Sequence, residues 1–258
     1  MSVQNDEGDE DKKNKTTRKR KLPAWMKPNN PEIPDAAGES GVLTNNNKPG
    51  TINPLLSSLV FDGTVIYCCQ QADCAALCCD ISENLTQDGR TPVGFDLEWP
   101  VLFKSGQKEQ KVALLQLCLN KDKCYLFHIA AIGSFPKSLV DLLNNKKVLL
   151  VGVGIESDLW KLERDYDLNA RKLIETQMCD LSQIANKVLN SSEHWSLDNL
   201  CKNLFLQSIS KDPGIRCGNW AQYPLTDVQK SYAATDALVS LLIYEELVKR
   251  QRDIPEVP

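Results

Sequence analysis

The stretch Val93-Gly94-Phe95-Asp96-Leu97-Glu98-Trp99-Pro100 places two acids inside an otherwise apolar run. If the run is a strand, residues two apart share a side, so Asp96 and Glu98 face one way and Phe95 and Leu97 the other. Burying both charges costs several kcal/mol unless something positive compensates them. A divalent metal is the cheapest compensation, and it requires further oxygen ligands from elsewhere in the chain.

The 258 residues are enough for one large domain or two small ones. A hydrophobic content of 42% with 25% charged residues is an ordinary globular balance. No apolar run approaches the roughly 18–20 residues of a membrane span, so no membrane partner is expected. Met1 to Asp11 is acidic and lacks an apolar core, unlike a secretory signal. The formal charge of −4 is unevenly spread: residues 1–21 hold seven basic and five acidic residues, and the remainder is net acidic. A globally basic nucleic-acid binder is thereby excluded, and contact with nucleic acid must use a local patch or a metal bridge. Ten cysteines occur without a C-x-x-C pair. A zinc site from Cys68, Cys69, Cys74, Cys78 and Cys79 matches no standard finger spacing. Reduced, semi-buried thiols are the simpler reading.

Residues 1–53 read as a disordered tail: a charged block, four prolines between Pro23 and Pro34, and few large apolar residues. Within the tail, Lys12 to Lys21 has seven basic residues in ten, the composition of a nuclear import signal, which makes the nucleus the expected location. Trp25 is an aromatic available to a partner. A folded domain is expected over residues 54–252. Asp62-Gly63 is a hairpin turn signal. Ala72–Asn84 reads as a helix and Thr91–Glu98 as a strand. A polar loop spans Leu102–Gln110, and two strands, Lys111–Leu119 and Cys124–Ile129, flank a turn. A helix over Phe135–Leu143 precedes a continuous apolar strand at Val148–Val153, followed by a helix over Glu156–Tyr166. The final third reads as helices near 179–190, 196–205 and 226–250. This order predicts an α/β fold: a mixed sheet flanked by helices, with a helical C-terminal third. No G-x-x-x-x-G-K-[ST] occurs, so ATP is not an expected ligand.

Three more positions carry chemistry. Asp158 follows Gly152-Val153-Gly154 and falls in the first turn of the helix after the central strand, where the helix dipole favours a carboxylate. Tyr232 and Asp236 lie at i and i+4 on one face of the last helix, among small residues that allow close packing on the sheet.

Taken in order, Phe95-Asp-Leu-Glu98, Gly154-Ile-Glu-Ser-Asp158 and Tyr232-x-x-x-Asp236 resemble the three motifs of the DEDD 3′–5′ exonucleases, in the Tyr-bearing subclass. Val112-Ala-Leu-Leu-Gln-Leu-Cys118, Cys124-Tyr-Leu-Phe-His128, Gly152 to Lys161, and Trp195-Ser-Leu-Asp-Asn-Leu200 bring the likeness closer to the Werner-type exonuclease domain. The resemblance covers about residues 58–250 and has the character of a stand-alone homologue without a helicase.

The resemblance implies an RNase H-like fold, two Mg²⁺ or Mn²⁺ ions, and removal of nucleotides from DNA 3′ ends, single-stranded or recessed, in genome maintenance. It assigns Asp96, Glu98 and Asp236 to one metal, Asp96 as a bridge to the second, and Asp158 to that second metal through water. Tyr232 would orient the attacking water. Hard oxygen ligands suit these ions better than zinc. Trp160, Arg216, Lys104 and Lys108 are candidate DNA contacts, as are Lys111 and Lys211; Trp99 and Leu97 are candidate wedges at the terminal base. A separate helicase or repair factor is a conceivable partner. The alternatives are an RNase D-like RNA-trimming exonuclease and a non-catalytic module that keeps the fold to bind DNA or a partner.

Overall fold

A computed structural model of the protein describes residues 56–101 and 108–253. The tail, with its basic segment and Trp25, lies outside the described residues, as does Lys104. In chain order the first elements are β1 (Ser57–Ser58), β2 (Thr64–Cys68), α1 (Gln71–Glu83), β3 (Thr91–Glu98), β4 (Leu114–Cys118) and β5 (Lys123–Phe127). There follow α2 (Ile129–Ile132), α3 (Lys137–Leu143), β6 (Val148–Gly152), α4 (Ile155–Tyr166), α5 (Ala170–Gln177) and β7 (Met178–Asp180). The chain closes with α6 (Leu181–Val188), α7 (Leu197–Phe205), β8 (Gln207–Ser208), α8 (Pro213–Arg216) and α9 (Asp227–Asp253).

The main sheet has the order β2-β5-β4-β3-β6-β7. β4 is antiparallel to both its neighbours, while β3–β6, β6–β7 and β2–β5 are parallel pairs. This is the expected mixed sheet. β3 sits inside it, so its apolar residues are covered on both faces. Val93, Phe95 and Leu97 pack with residues of α1, α3, α4 and α5 on one side. On the other side α9 lies over the sheet, its Ala233, Ala234 and Ala237 packed with Leu114, Cys118, Cys124 and Leu126.

Small residues decide how close α9 comes. A Cβ added at Gly94 would lie 1.9 Å from the backbone oxygen of Ala237. No side chain fits there, so the glycine in the opening motif is the seat of the helix. β3 and α9 each carry two of the singled-out polar residues, and this contact sets the distance between them.

Two expectations need correction. Asp62-Gly63 does not close a hairpin: β2 pairs in parallel with β5, and β1 pairs with β8, far along the chain. A parallel neighbour cannot be reached through a two-residue turn. Helix α5 (Ala170–Gln177), absent from the expected elements, carries the chain between α4 and β7. Its register was hidden because only Ala170, Leu173 and Gln177 are buried in a short, mostly polar segment.

Candidate active site

The acids of β3 alternate with core residues as the period-two reading requires. Leu97 is 4% exposed within the core on the opposite face from Asp96 and Glu98. It therefore cannot act as a wedge at a terminal base, which corrects that expectation. Asp236 is supplied by the face of α9 that Gly94 admits. One carboxylate oxygen from each of Asp96, Glu98 and Asp236 lies within 4.8 Å of the other two.

Asp158 enters from a third element. The turn after β6 places Gly154 at φ +71° as the helix N-cap, a conformation glycine adopts without strain. The Gly154 N–H donates to Asp180 Oδ2 at 2.8 Å, which ties this turn to the start of α6. Asp158 then falls in the first turn of α4, outside the trio but near enough to feel Asp96.

The electrostatics show acids crowded together against the cost of burial, which the charges of Arg216 and Lys161 offset only in part. Burial pushes the Asp96 carboxyl up to about 6, against a bond from the Leu97 N–H and the charge of Arg216. Burial, reinforced by the charge of Asp96, pushes Asp158 up to about 8, with Lys161 opposing. Glu98 and Asp236 are held well above the ordinary carboxylate range, first by burial and then by neighbouring acids. Burial also raises the Tyr232 phenol, and the charges of Asp236, Glu98 and Asp96 add to that. Its hydroxyl bonds Asp236. A phenol so placed stays protonated at neutral pH and serves as a hydrogen-bonding group.

A divalent cation fits this donor set. All three convergent groups are carboxylates, the hard ligands preferred by Mg²⁺ and Mn²⁺. The three oxygens already converge to within 4.8 Å of one another, so a single cation could draw on all three. The cysteine alternative does not assemble: Cys68 and Cys74 meet at 3.3 Å, while Cys69 faces the Tyr223 hydroxyl and Cys79 donates to Glu83.

The expected nucleic-acid contacts divide. Arg216, on α8, is exposed, and its charge reaches Asp96, Glu98, Asp236 and Tyr232. Lys108 is exposed beside the undescribed part of its loop. Trp160 is half-buried against the core, with its Nε1 3.4 Å from Glu156 Oε1. Lys211 pairs with the buried Asp198 at 2.9 Å, a structural tie rather than a free phosphate contact. Lys111 lies over the Tyr166 ring.

Sequence reasoning missed two groups. Lys161 is 2% exposed, bonded to the Gln110 carbonyl at 2.8 Å and to Asp165 at 3.1 Å, and stacked over Trp99. A lysine one turn beyond Asp158 was the available signal. The other is a clamp behind Tyr232. The Trp220 carbonyl can only accept, so His128 Nε2 donates to it (3.0 Å) and Nδ1 accepts from the Tyr67 hydroxyl. Trp220, thus fixed, packs its ring 6.1 Å from that of Tyr232.

A mixed sheet that gathers carboxylates from β3 and α9 at one place, two of them buried, fits a metal-dependent nuclease of the hydrolase class. The profile of the 3′–5′ exonuclease family matches residues 69–251, and the chain belongs to that family. The chain is 42% identical over 235 residues to the mouse bifunctional 3′–5′ exonuclease/ATP-dependent helicase WRN, over 90% of this chain and 16% of that protein. It is 32% identical over 200 residues to a 3′–5′ exonuclease of Drosophila melanogaster, over 76% of this chain and 56% of that protein. It thus spans about half, or less, of the length of these relatives. Among solved structures it resembles the Nibbler EXO domain of Aedes aegypti (TM-score 0.61, 21% identity, 76% of this chain and 94% of that one). Escherichia coli RNase D, an exoribonuclease involved in structured RNA processing, gives a TM-score of 0.58 at 17% identity, over 74% of this chain and 46% of that one. These two likenesses establish the RNase H-like fold.

Proposed function

We propose that the protein is a 3′–5′ exodeoxyribonuclease that removes nucleotides from DNA 3′ ends with two Mg²⁺ or Mn²⁺ ions, in genome maintenance. The observation that carries the reading is the convergence of Asp96, Glu98 and Asp236, with the Tyr232 hydroxyl bonded to one of them. The preference for DNA rests on the Werner-type texture of the motifs and on the 42% identity to the mouse relative.

Asp96, Glu98 and Asp236 would hold one ion, with Asp96 shared and Asp158 reaching a second through water. Bound in pairs, such ions activate a water and stabilise the leaving 3′-oxygen in an in-line displacement. Tyr232 orients the attacking water by hydrogen bonding and does not act as a base, because its proton is held by burial and three nearby acids. The Trp220 contact keeps that ring in place. Arg216 offers a positive charge to the phosphate beside the acids. Until cations bind, the carboxylates repel the strand, so binding depends on metal as well as on salt. The tail segment Lys12–Lys21 would direct nuclear import, and a helicase or repair factor acting on the same end is the partner this role implies.

The test is a time course on a 3′-recessed DNA duplex and a matched RNA, with Mg²⁺, Mn²⁺ or EDTA. Wild type should shorten DNA from its 3′ end and release 5′-mononucleotides only with metal. Asp96→Asn with Glu98→Gln should lower the rate by about 10³-fold or more, since metal charge stabilisation is worth several kcal/mol. A clear preference for RNA would move the substrate assignment to the RNase D side. Metal-independent DNA binding without cleavage would replace the enzyme reading with a binding module.

A further inference from the structure

Gln116 occupies the middle of β4, directly opposite Asp96 in the antiparallel register. Residues so opposed project from the same face, with Cβ atoms about 4.5–5.5 Å apart. The face is the one beneath α9: Leu114 and Cys118, two residues to either side of Gln116, both pack with the alanines of that helix. Gln116 is fully buried. Neither its amide nitrogen nor its amide oxygen has a hydrogen-bond partner among the described residues.

A buried amide with both ends unpaired is rare in native interiors and costs stability. The surroundings make it more conspicuous. Gln116 is flanked along β4 by leucines, faces Leu126 across the next strand, and lies below alanines. An apolar side chain would satisfy every one of those neighbours. The polar group placed beside it by the strand register is the Asp96 carboxylate. Asp96 Oδ1 already accepts the Leu97 N–H at 2.9 Å. A carboxylate has about four acceptor sites, so after one backbone bond and two cations one lone pair is still available to a donor from β4.

We propose that Gln116 is a positioning residue for the acidic centre: its amide N–H donates to the Asp96 carboxylate when that carboxylate holds a cation. Carboxylates that ligate metals are themselves commonly hydrogen-bonded, and the partner fixes their orientation. A buried amide with no partner of its own is then free to serve the carboxylate that a cation would orient. The inference rests on the reading of Asp96, Glu98 and Asp236 as a cation site, and it extends that site to a residue that touches neither ion nor substrate.

The experiment compares the full chain with Gln116→Met, which has nearly the same length and no hydrogen-bonding amide. Two quantities are read: the melting temperature in EDTA, and the affinity for Mn²⁺ by calorimetry. Gln116→Met should melt at a higher temperature than wild type in EDTA, yet bind Mn²⁺ about 10–100-fold more weakly. A merely structural glutamine would not separate the two readings in opposite directions. Mn²⁺ affinity within twofold of wild type would overturn the proposal. If the thioether is too bulky and the variant melts lower, Gln116→Leu makes the same comparison with a shorter side chain. A wild-type protein that binds neither Mn²⁺ nor Mg²⁺ would instead overturn the cation site itself, which keeps the two failures apart.

Discussion

Replacing Asp96 with Asn should stabilise the protein when metal is withheld, and by an amount that depends on pH. Burial holds the Asp96 carboxyl at about 6 in the folded state, against an ordinary value of 3.8. The difference between those two values corresponds to about 3 kcal/mol. The sign follows from proton binding. Between about pH 4 and pH 6 the folded state holds this proton and the unfolded state releases it, so folding loses stability as pH rises through that window. Below pH 4 both states are protonated and the penalty vanishes; above pH 6 it is complete. Asn carries no charge and keeps an oxygen for the Leu97 N–H, which Asp96 Oδ1 accepts at 2.9 Å. In EDTA the variant should therefore match wild type near pH 4 and exceed it by about 3 kcal/mol at pH 7. For a domain of this size that is about 6–12 °C in melting temperature. Saturating Mn²⁺ should narrow the gap, because a ligand at a hundred times its Kd adds about 2.7 kcal/mol to the protein that binds it. Thermal unfolding of both proteins at pH 4, 5, 6 and 7, with EDTA or Mn²⁺, reads all of this. A difference that stays flat from pH 4 to pH 7, or that favours wild type at pH 7 in EDTA, would refute the argument.

Gly94→Ala places a methyl 1.9 Å from the Ala237 carbonyl oxygen; overpacking of this kind costs about 1–3 kcal/mol or more, and because both partners are backbone it should also move Asp236 away from Asp96, so denaturant melts and Mn²⁺ affinity should fall together. Tyr232→Phe keeps the ring against Trp220 but removes the hydroxyl that bonds Asp236. It should lower kcat by about 10²-fold, as loss of a proton-positioning group does, with KM and melting temperature nearly unchanged in steady-state kinetics and a thermal scan.

Much of this molecule was legible because its chemistry conflicts with its surroundings. β3 runs from Thr91 to Glu98 as the alternation required, and two acids in such a strand stand out because burial penalises them. The spacing of Tyr232 and Asp236 was equally readable, since a helix turns four residues onto one face. What stayed hidden depended on partners distant in sequence. Nothing in Thr64–Cys68 specifies a parallel mate at Lys123–Phe127, and Asp62-Gly63 carries the same turn signal whichever strand comes next. Lys211 looked like a phosphate contact because a lysine does not reveal that Asp198 waits beneath it.

Gln116 belongs to the same class, and it shows why the acidic centre extends beyond its acids. Along β4 it reads as one polar residue in an apolar run, with no more emphasis than a surface glutamine would have. Only the register, which sets it opposite Asp96, and its complete burial without a partner give it meaning. The conflict that exposes Asp96 to a sequence reader is one of charge and is visible locally. The conflict at Gln116 is one of unmet hydrogen bonds, and it exists only once α9 has closed over the sheet at Gly94. A fold that brings buried Glu98 and Asp236, half-buried Asp96 and an unpaired amide together has placed its instability where a cation can relieve it. The cation-free protein should accordingly be least stable at this point, and in hydrogen exchange the amides of β3 near Asp96 and of α9 near Asp236 should gain protection on Mn²⁺ binding ahead of those in α1 and α3.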